Sequence, residues 1–435
     1  MPETVVMVAC LGAAVSWLFS RSFFNPVTLT LTLFAVSSYL ASLRLFGLFD
    51  FPDIAYTIVL VGCIAVFCGG MLANLGDLEP SRNVQLRREI APERYISYRA
   101  ANGLALVAIV VLFLTRVAIL GVLLSGGGFD AVRAYFLGYS GNLGFVGTTD
   151  ALLNRLVVSP IMFAGVPVLI YGLLRGEPNR LFTRLMVVAI VLNLATSGGR
   201  IIFAYAALQI LVLMAVTGAR LRIRRRRFLG VVALLGLVIG AVTVMRGNEL
   251  VYEIYTYLAI PLPLLGHWAS QMDAAGVSTN GLSFVYGIVT LIVNALNAFG
   301  ASASLSVSEA VNAPQDTWVL LLPDRPFNAF VTMFYYFYVD FGIFGVALFG
   351  FIFGLVSQFL FCRARRTGDV RTVLILLLVV QAVASSFVRW AGTDGAFVIA
   401  LILLLALTPR RKRDWLIRRD NLRAPGVSAS GSPHG

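Results

Sequence analysis

The feature that most limits this chain is the recurrence of long apolar runs. Stretches near 4–20, 26–47, 54–74, 102–124, 152–174, 181–196, 200–218, 228–246, 331–361, 372–388 and 394–408 are nearly free of charge. Most reach the ~17–25 residues that a helix needs to cross hydrocarbon. Lipid offers no hydrogen bonds to open backbone groups, so such runs must be helices or the strands of a closed barrel. They are continuous rather than alternating over ~10 residues, which selects helices. Composition agrees: 59% of the 435 residues are hydrophobic and 13% charged, where a soluble domain carries roughly 25% charge. The sequence predicts an all-α polytopic membrane protein of about eleven spans, with one transmembrane domain over 1–420 and a disordered Ser/Gly/Pro-rich tail over 421–435. Met1–Ser20 lacks a basic leader and a clear cleavage site, so it reads as a retained first span. The 331–361 run is long enough that it must tilt or begin outside the bilayer.

The net charge of +13 would suggest nucleic acid in a soluble protein. Here it sits in short loops between apolar runs, where it reports topology, and no nucleic-acid partner is expected. Segments 82–99, 175–184, 220–227, 363–371 and 410–423 hold 25 of the 34 lysines and arginines. With the spans above, all five fall on one side, and the positive-inside rule makes that side cytoplasmic. The N-terminus is then outside and the C-terminus inside. Two outer loops are substantial, 125–151 and 247–330. The second is too long for a connector. It carries a tyrosine-rich amphipathic stretch (Tyr252, Tyr255, Tyr257) and an apolar stretch over 282–299. Both are expected as interfacial helices, with a re-entrant or full span at 282–299 as the alternative.

Nine arginines lie outside the basic loops: Arg21 at the inner side, and Arg44, Arg116, Arg133, Arg155, Arg200, Arg246, Arg325 and Arg389 in outer loops or outer halves of spans. The positive-inside bias should deplete that side, and arginine against hydrocarbon is costly, so these need partners or a ligand. Arg200, Arg246, Arg325 and Arg389 sit at span ends or in the large loop. If they converge, they form a cationic pocket suited to a pyrophosphate at headgroup level, because guanidinium is permanently charged and grips phosphate oxygens in pairs. The competing account is a local acid for each arginine, or snorkelling to the interface. Acids on the same side are Glu249, Glu253, Asp273, Glu309, Asp316, Asp324, Asp340 and Asp394. Glu249, three residues after Arg246, and Asp340, early in the ninth span, are the candidates for a base that takes a proton from a sugar hydroxyl. Either carboxylate is equally suited to order the arginines. Arg116, His267, Asp324 and Tyr336 are secondary candidates.

Several functions are disfavoured by what the sequence lacks. There is no phosphate-loop lysine motif, dinucleotide fingerprint or H-E-x-x-H. The four cysteines and two histidines have no zinc spacing, so no metal or other cofactor is expected.

Two local patterns resemble a known family. The turn Thr196-Ser197-Gly198-Gly199-Arg200, and Asn328-Ala329-Phe330-Val331-Thr332 followed by Asp340-Phe341-Gly342-Ile343-Phe344-Gly345, are similar to the motifs of oligosaccharide repeat-unit polymerases, the Wzy-type O-antigen polymerases. The turn reads Gly-Gly-Arg where Gly-Ser/Ala-Arg is commoner. The resemblance covers roughly 180–350 and reaches the first 150 residues by hydropathy alone. It implies a GT-C class B-like fold in a bacterial cytoplasmic membrane. It further implies a metal-independent transfer of glycan from undecaprenyl pyrophosphate onto another lipid-linked repeat unit, with a flippase and a chain-length regulator as partners. Within the matched motifs it implicates Arg200 and Asp340. A ligase-like transferase with another acceptor, and a transporter or flippase of anionic lipid-linked glycans, are the alternatives.

Overall fold

The computed structural model describes residues 1–76, 95–124, 152–175, 179–197, 201–218, 250–298, 307–323, 325–328 and 330–409. Helices form at ten of the eleven expected positions; the eleventh, 228–246, lies outside the described residues. They are α1 (Pro2–Ser20), α2 (Pro26–Ser42), α3 (Ile54–Leu75), α4 (Tyr98–Leu124), α5 (Ser159–Arg175), α6 (Arg180–Ser197), α7 (Ile201–Thr217), α12 (Thr332–Thr367), α13 (Val370–Ser385) and α14 (Gly395–Leu407). A π-helical turn, Asn154–Val158, leads into α5. Among the described residues five helices are long and apolar enough to cross a membrane: α1, α3, α4 over Tyr98–Thr115, α5 with its π turn, and α12. The helices α2, α7, α13 and α14 are apolar but shorter. The architecture is that of an all-helical, multi-pass membrane protein.

Local chemistry sets the boundaries. Pro26 opens α2, and the side chain of Asn25 accepts from the Thr28 amide as an N-cap. Asp369 caps α13 through the Thr372 amide, and Asp394 caps α14 through that of Ala396. Gly368, at φ 60°, closes α12 in a left-handed cap.

The large loop is built rather than extended. Within it lie α8 (Leu250–Ala259), α9 (Pro261–Ala275), α10 (Tyr286–Ala298), α11 (Ser308–Asp316) and an antiparallel hairpin of β1 (Val319–Leu322) and β2 (Arg325–Phe327) with a bulge between Leu320 and Leu322. The hairpin adds two short strands to the expected all-α fold. The 282–299 stretch yields only the 13 residues of α10, about 20 Å at 1.5 Å per residue, short of a ~30 Å hydrocarbon core. It packs on α14, with Ile288, Ile292 and Leu296 exposed at four-residue spacing, as an interfacial helix would.

The most extensive helix pair is α3 against α12. Small residues bring their backbones together: a Cβ on Gly69 would fall 2.1 Å from the Phe351 carbonyl, and one on Gly354 would fall 2.1 Å from that of Val66. Close approach through small residues is how helices associate where lipid removes any hydrophobic advantage.

Candidate functional site

The long helix α12 is broken. Phe341 (φ −145°, ψ 28°) and Gly342 (φ 60°, ψ −145°) leave helical geometry, and the second conformation is open essentially to glycine alone. The break divides a fully buried segment, Met333–Phe337 at 0% exposure, from a stretch long enough to span. This accounts for the excess length of the run. Carbonyls freed at the break are retaken by the segment that leads into α10: Thr279 N donates to the Val339 carbonyl (3.0 Å) and Ser278 Oγ to that of Asp340 (2.7 Å).

Asp340, 0% exposed, holds this segment in place. Its Oδ1 accepts from Thr279 Oγ1 and from the amides of Gly281 (3.0 Å) and Ser283 (2.9 Å), and its Oδ2 accepts from the Phe284 amide (2.9 Å). Both oxygens are spent inside the protein, whereas a general base must face its substrate. The partners are backbone amides and a threonine hydroxyl, not one of the arginines that Asp340 is expected either to order or to assist as a base. From Phe284 the order passes outward. Its carbonyl accepts from Trp390 Nε1 at 2.7 Å, and its ring stacks between those of Trp390 (5.3 Å) and Phe349 (4.2 Å). Trp390 is the neighbour of Arg389. Thr332, in the matched motif, has φ 62°, a strained value for a β-branched residue. Its amide and that of Val331 donate to the Val388 carbonyl, next to the same arginine.

Arg389 stands at the centre of a small polar cluster. Its guanidinium reaches Asp394 at 3.7 Å, with the two side chains 30% and 23% exposed. Burial opposes its charge, but Asp394 and the Tyr336 and Tyr205 hydroxyls outweigh that and hold its pKa above the ordinary value. The Tyr336 hydroxyl is buried, with Gln315 beside it but no partner in hydrogen-bond geometry. Tyr205 belongs to the first turns of α7, so the N-terminal end of α7 meets the C-terminal end of α13, where Ser385 neighbours the Tyr205 hydroxyl. Arg200 precedes α7 by one residue and itself lies outside the described residues.

Arg325 is differently placed. Both terminal nitrogens lie 3.2 Å from Glu253 Oε1, and its guanidinium sits 5.6 Å over Tyr252 and 5.8 Å over Phe327. It shares no partner with Arg389 among the described contacts. His267, on α9, faces Gln271 at 3.0 Å and the Trp268 ring edge, and burial lowers its pKa. It belongs to neither cluster. Arg116 is in α4, with its side chain outside the described set, and Glu249, Arg246 and Asp324 are likewise outside the described residues.

Sequence reasoning missed Tyr205, Thr279 and Ser283. A run of Thr, Asn, Gly and Ser before an apolar helix is a capping signal, and a buried acid elsewhere without a cation needs such donors. No cluster of three or more His, Cys, Asp or Glu that could hold a metal occurs among the described residues. Comparisons with protein-family models, curated proteins and solved structures return no match for this chain.

Proposed function

We propose that the chain is a membrane glycosyltransferase that polymerises undecaprenyl-pyrophosphate-linked oligosaccharide repeat units at the outer face of a bacterial cytoplasmic membrane. This reading takes eleven spans, with the N-terminus outside. Tyr205 lies near Arg389, with Thr217 about three turns further along α7, and Glu253 pairs with Arg325 three residues after Leu250, which supports a crossing between Thr217 and Leu250.

The observation that carries the reading is the free donor capacity of Arg389. Among the described residues the acid it pairs with, Asp394, stands too far off at 3.7 Å to take a hydrogen bond, which leaves guanidinium N–H groups for a ligand. Beside it are the buried Tyr336 hydroxyl, a second tyrosine and, one residue before α7 in the sequence, Arg200. Charge that develops on a departing pyrophosphate in a partly dehydrated site is stabilised by such fixed donors. In this scheme Arg389, Arg200 and Arg246 hold the pyrophosphate, Asp340 sets Arg389 through Phe284 and Trp390, and Glu249 is the candidate base. The break in α12 favours a second reading, transport of the same lipids, because discontinuous helices mark transporter sites; here, however, the break is filled by protein donors.

The test is reconstitution in proteoliposomes with lipid-linked repeat units from the source cells. A ladder of products is expected, and Arg389→Ala should lower its formation at least ~10²-fold, as for other donors to a developing anion. Lipid translocation without bond formation, or a normal ladder from the variant, would reject the proposal.

A further inference from the structure

Arg389 follows the C-terminal end of α13. The opposite end of the same helix lines a cavity of about 280 Å³, near the lower end of the ~300–1,000 Å³ usual for small-molecule sites. Two guanidiniums border it, Arg363 from the end of α12 and Arg371 from the start of α13, and its remaining wall is largely apolar, with Phe359, Ile375 and Leu405. We propose that this cavity binds the phosphate headgroup of an anionic membrane phospholipid, a site separate from the glycan chemistry.

The charge accounting favours an anion. Among the described residues, ion pairs within 4 Å involve Arg44, Arg325 and Arg389, so neither Arg363 nor Arg371 has an acid of its own. The one carboxylate in the wall, Asp369, is committed elsewhere, since its Oδ2 accepts from the Thr372 amide at 3.0 Å and from Thr372 Oγ1 at 2.8 Å to cap α13. Arg365, from the same turn as Arg363, shows what a satisfied arginine looks like here: it donates to the Ser20 carbonyl and lies 5.6 Å over the Phe361 ring. Among the described residues Arg363 and Arg371 are held to no such partner. The lining residue Pro409 is followed in sequence by Arg410, Arg411, Lys412 and Arg413.

The apolar wall decides the source of the phosphate. A free anion would gain nothing from Phe359, which is 50% exposed, whereas the glycerol and first methylenes of a lipid would cover it. Basic pockets between transmembrane helices on the cytoplasmic side are a recurrent design for anionic headgroups.

Native mass spectrometry of the purified full chain, titrated with phosphatidylglycerol or phosphatidylcholine, tests the site without reference to glycan transfer. One preferred phosphatidylglycerol adduct is expected. Each basic side chain near an anionic surface contributes about fivefold in affinity, so Arg363→Gln with Arg371→Gln should weaken that adduct roughly 30-fold, and Arg371→Gln alone about fivefold. The paired lysine variant should keep most of the binding. Equal retention of the two lipids, an unchanged adduct in the Arg371→Gln protein, or displacement of the lipid by millimolar inorganic phosphate would overturn the proposal.

Discussion

At the scale of single residues, the candidates separate by what each side chain has left to offer. Arg325 has its own acid, the local pairing weighed from the sequence, while Arg389 makes only a longer ion pair, 3.7 Å to Asp394, among the described residues. That difference was not legible in the sequence, because Glu253 and Asp394 both stood among the outer acids and only the fold assigns them. Asp340 was legible as special, from its place before Phe341-Gly342, but its partners were not: they are amides about sixty positions away. Its role can be separated from catalysis. Asparagine fits the same space but must turn a donor toward at least one of the amides now held by carboxylate. Orphaning one buried N–H and weakening the charge-assisted bonds should cost about 2–3 kcal/mol. Asp340→Asn should therefore unfold at a clearly lower temperature in detergent, together with any loss of activity. An inactive variant that melts like the parent would instead return Asp340 to the reacting atoms.

At the scale of elements, hydropathy found the long helices because burial in lipid demands a continuous apolar run, and it left α10 ambiguous because length decides between a span and an interfacial helix. Neither the break in α12 nor the seam between α3 and α12 raises a hydropathy signal. Both rest on glycines, whose role is the absence of a side chain. The seam gives a prediction with opposite signs for two superficially equal changes. Gly354 faces the Val66 carbonyl so closely that alanine must push the helices apart, a misfit of about 1–3 kcal/mol. Gly103, inside α4, has nothing within 4 Å of a built Cβ; alanine there removes the ~0.5–1 kcal/mol that glycine costs a helix interior. Thermal unfolding of the two variants should thus move in opposite directions. A shift of the same sign in both would mean that the α3–α12 contact is not the tight seam described.

At the scale of the whole molecule, the fold turns orientation into one binary choice. Arg365 donates to the Ser20 carbonyl, so the C-terminal end of α1 sits beside the basic 363–371 segment. Ser97 N donates to the Leu407 carbonyl at 2.9 Å, and the rings of Tyr98 and Phe182 lie 5.9 Å apart. The starts of α4 and α6 and the end of α14 are therefore neighbours. Arg389, Arg325 and the Asp340 clamp are reached only by following α2, α7 or α13 to their other ends. Of the basic segments grouped by counting, the described residues bring 363–371 and the starts of α4 and α6 to this end, while 220–227 and 410–423 lie outside the described residues; which end faces the cytoplasm is an expectation from the charge bias. Arg366 and Ala275 are exposed at the two ends, and of the native thiols Cys10 and Cys68 are exposed while Cys63 and Cys362 are buried. With Cys10 and Cys68 replaced by serine, Ala275→Cys should react with a membrane-impermeant maleimide in intact spheroplasts. Arg366→Cys should react only after permeabilisation, if the positive-inside bias of the sequence sets the insertion as proposed. Reversed labelling would put the Arg389 cluster in the cytoplasm, where a polymerase of exported repeat units has no substrate.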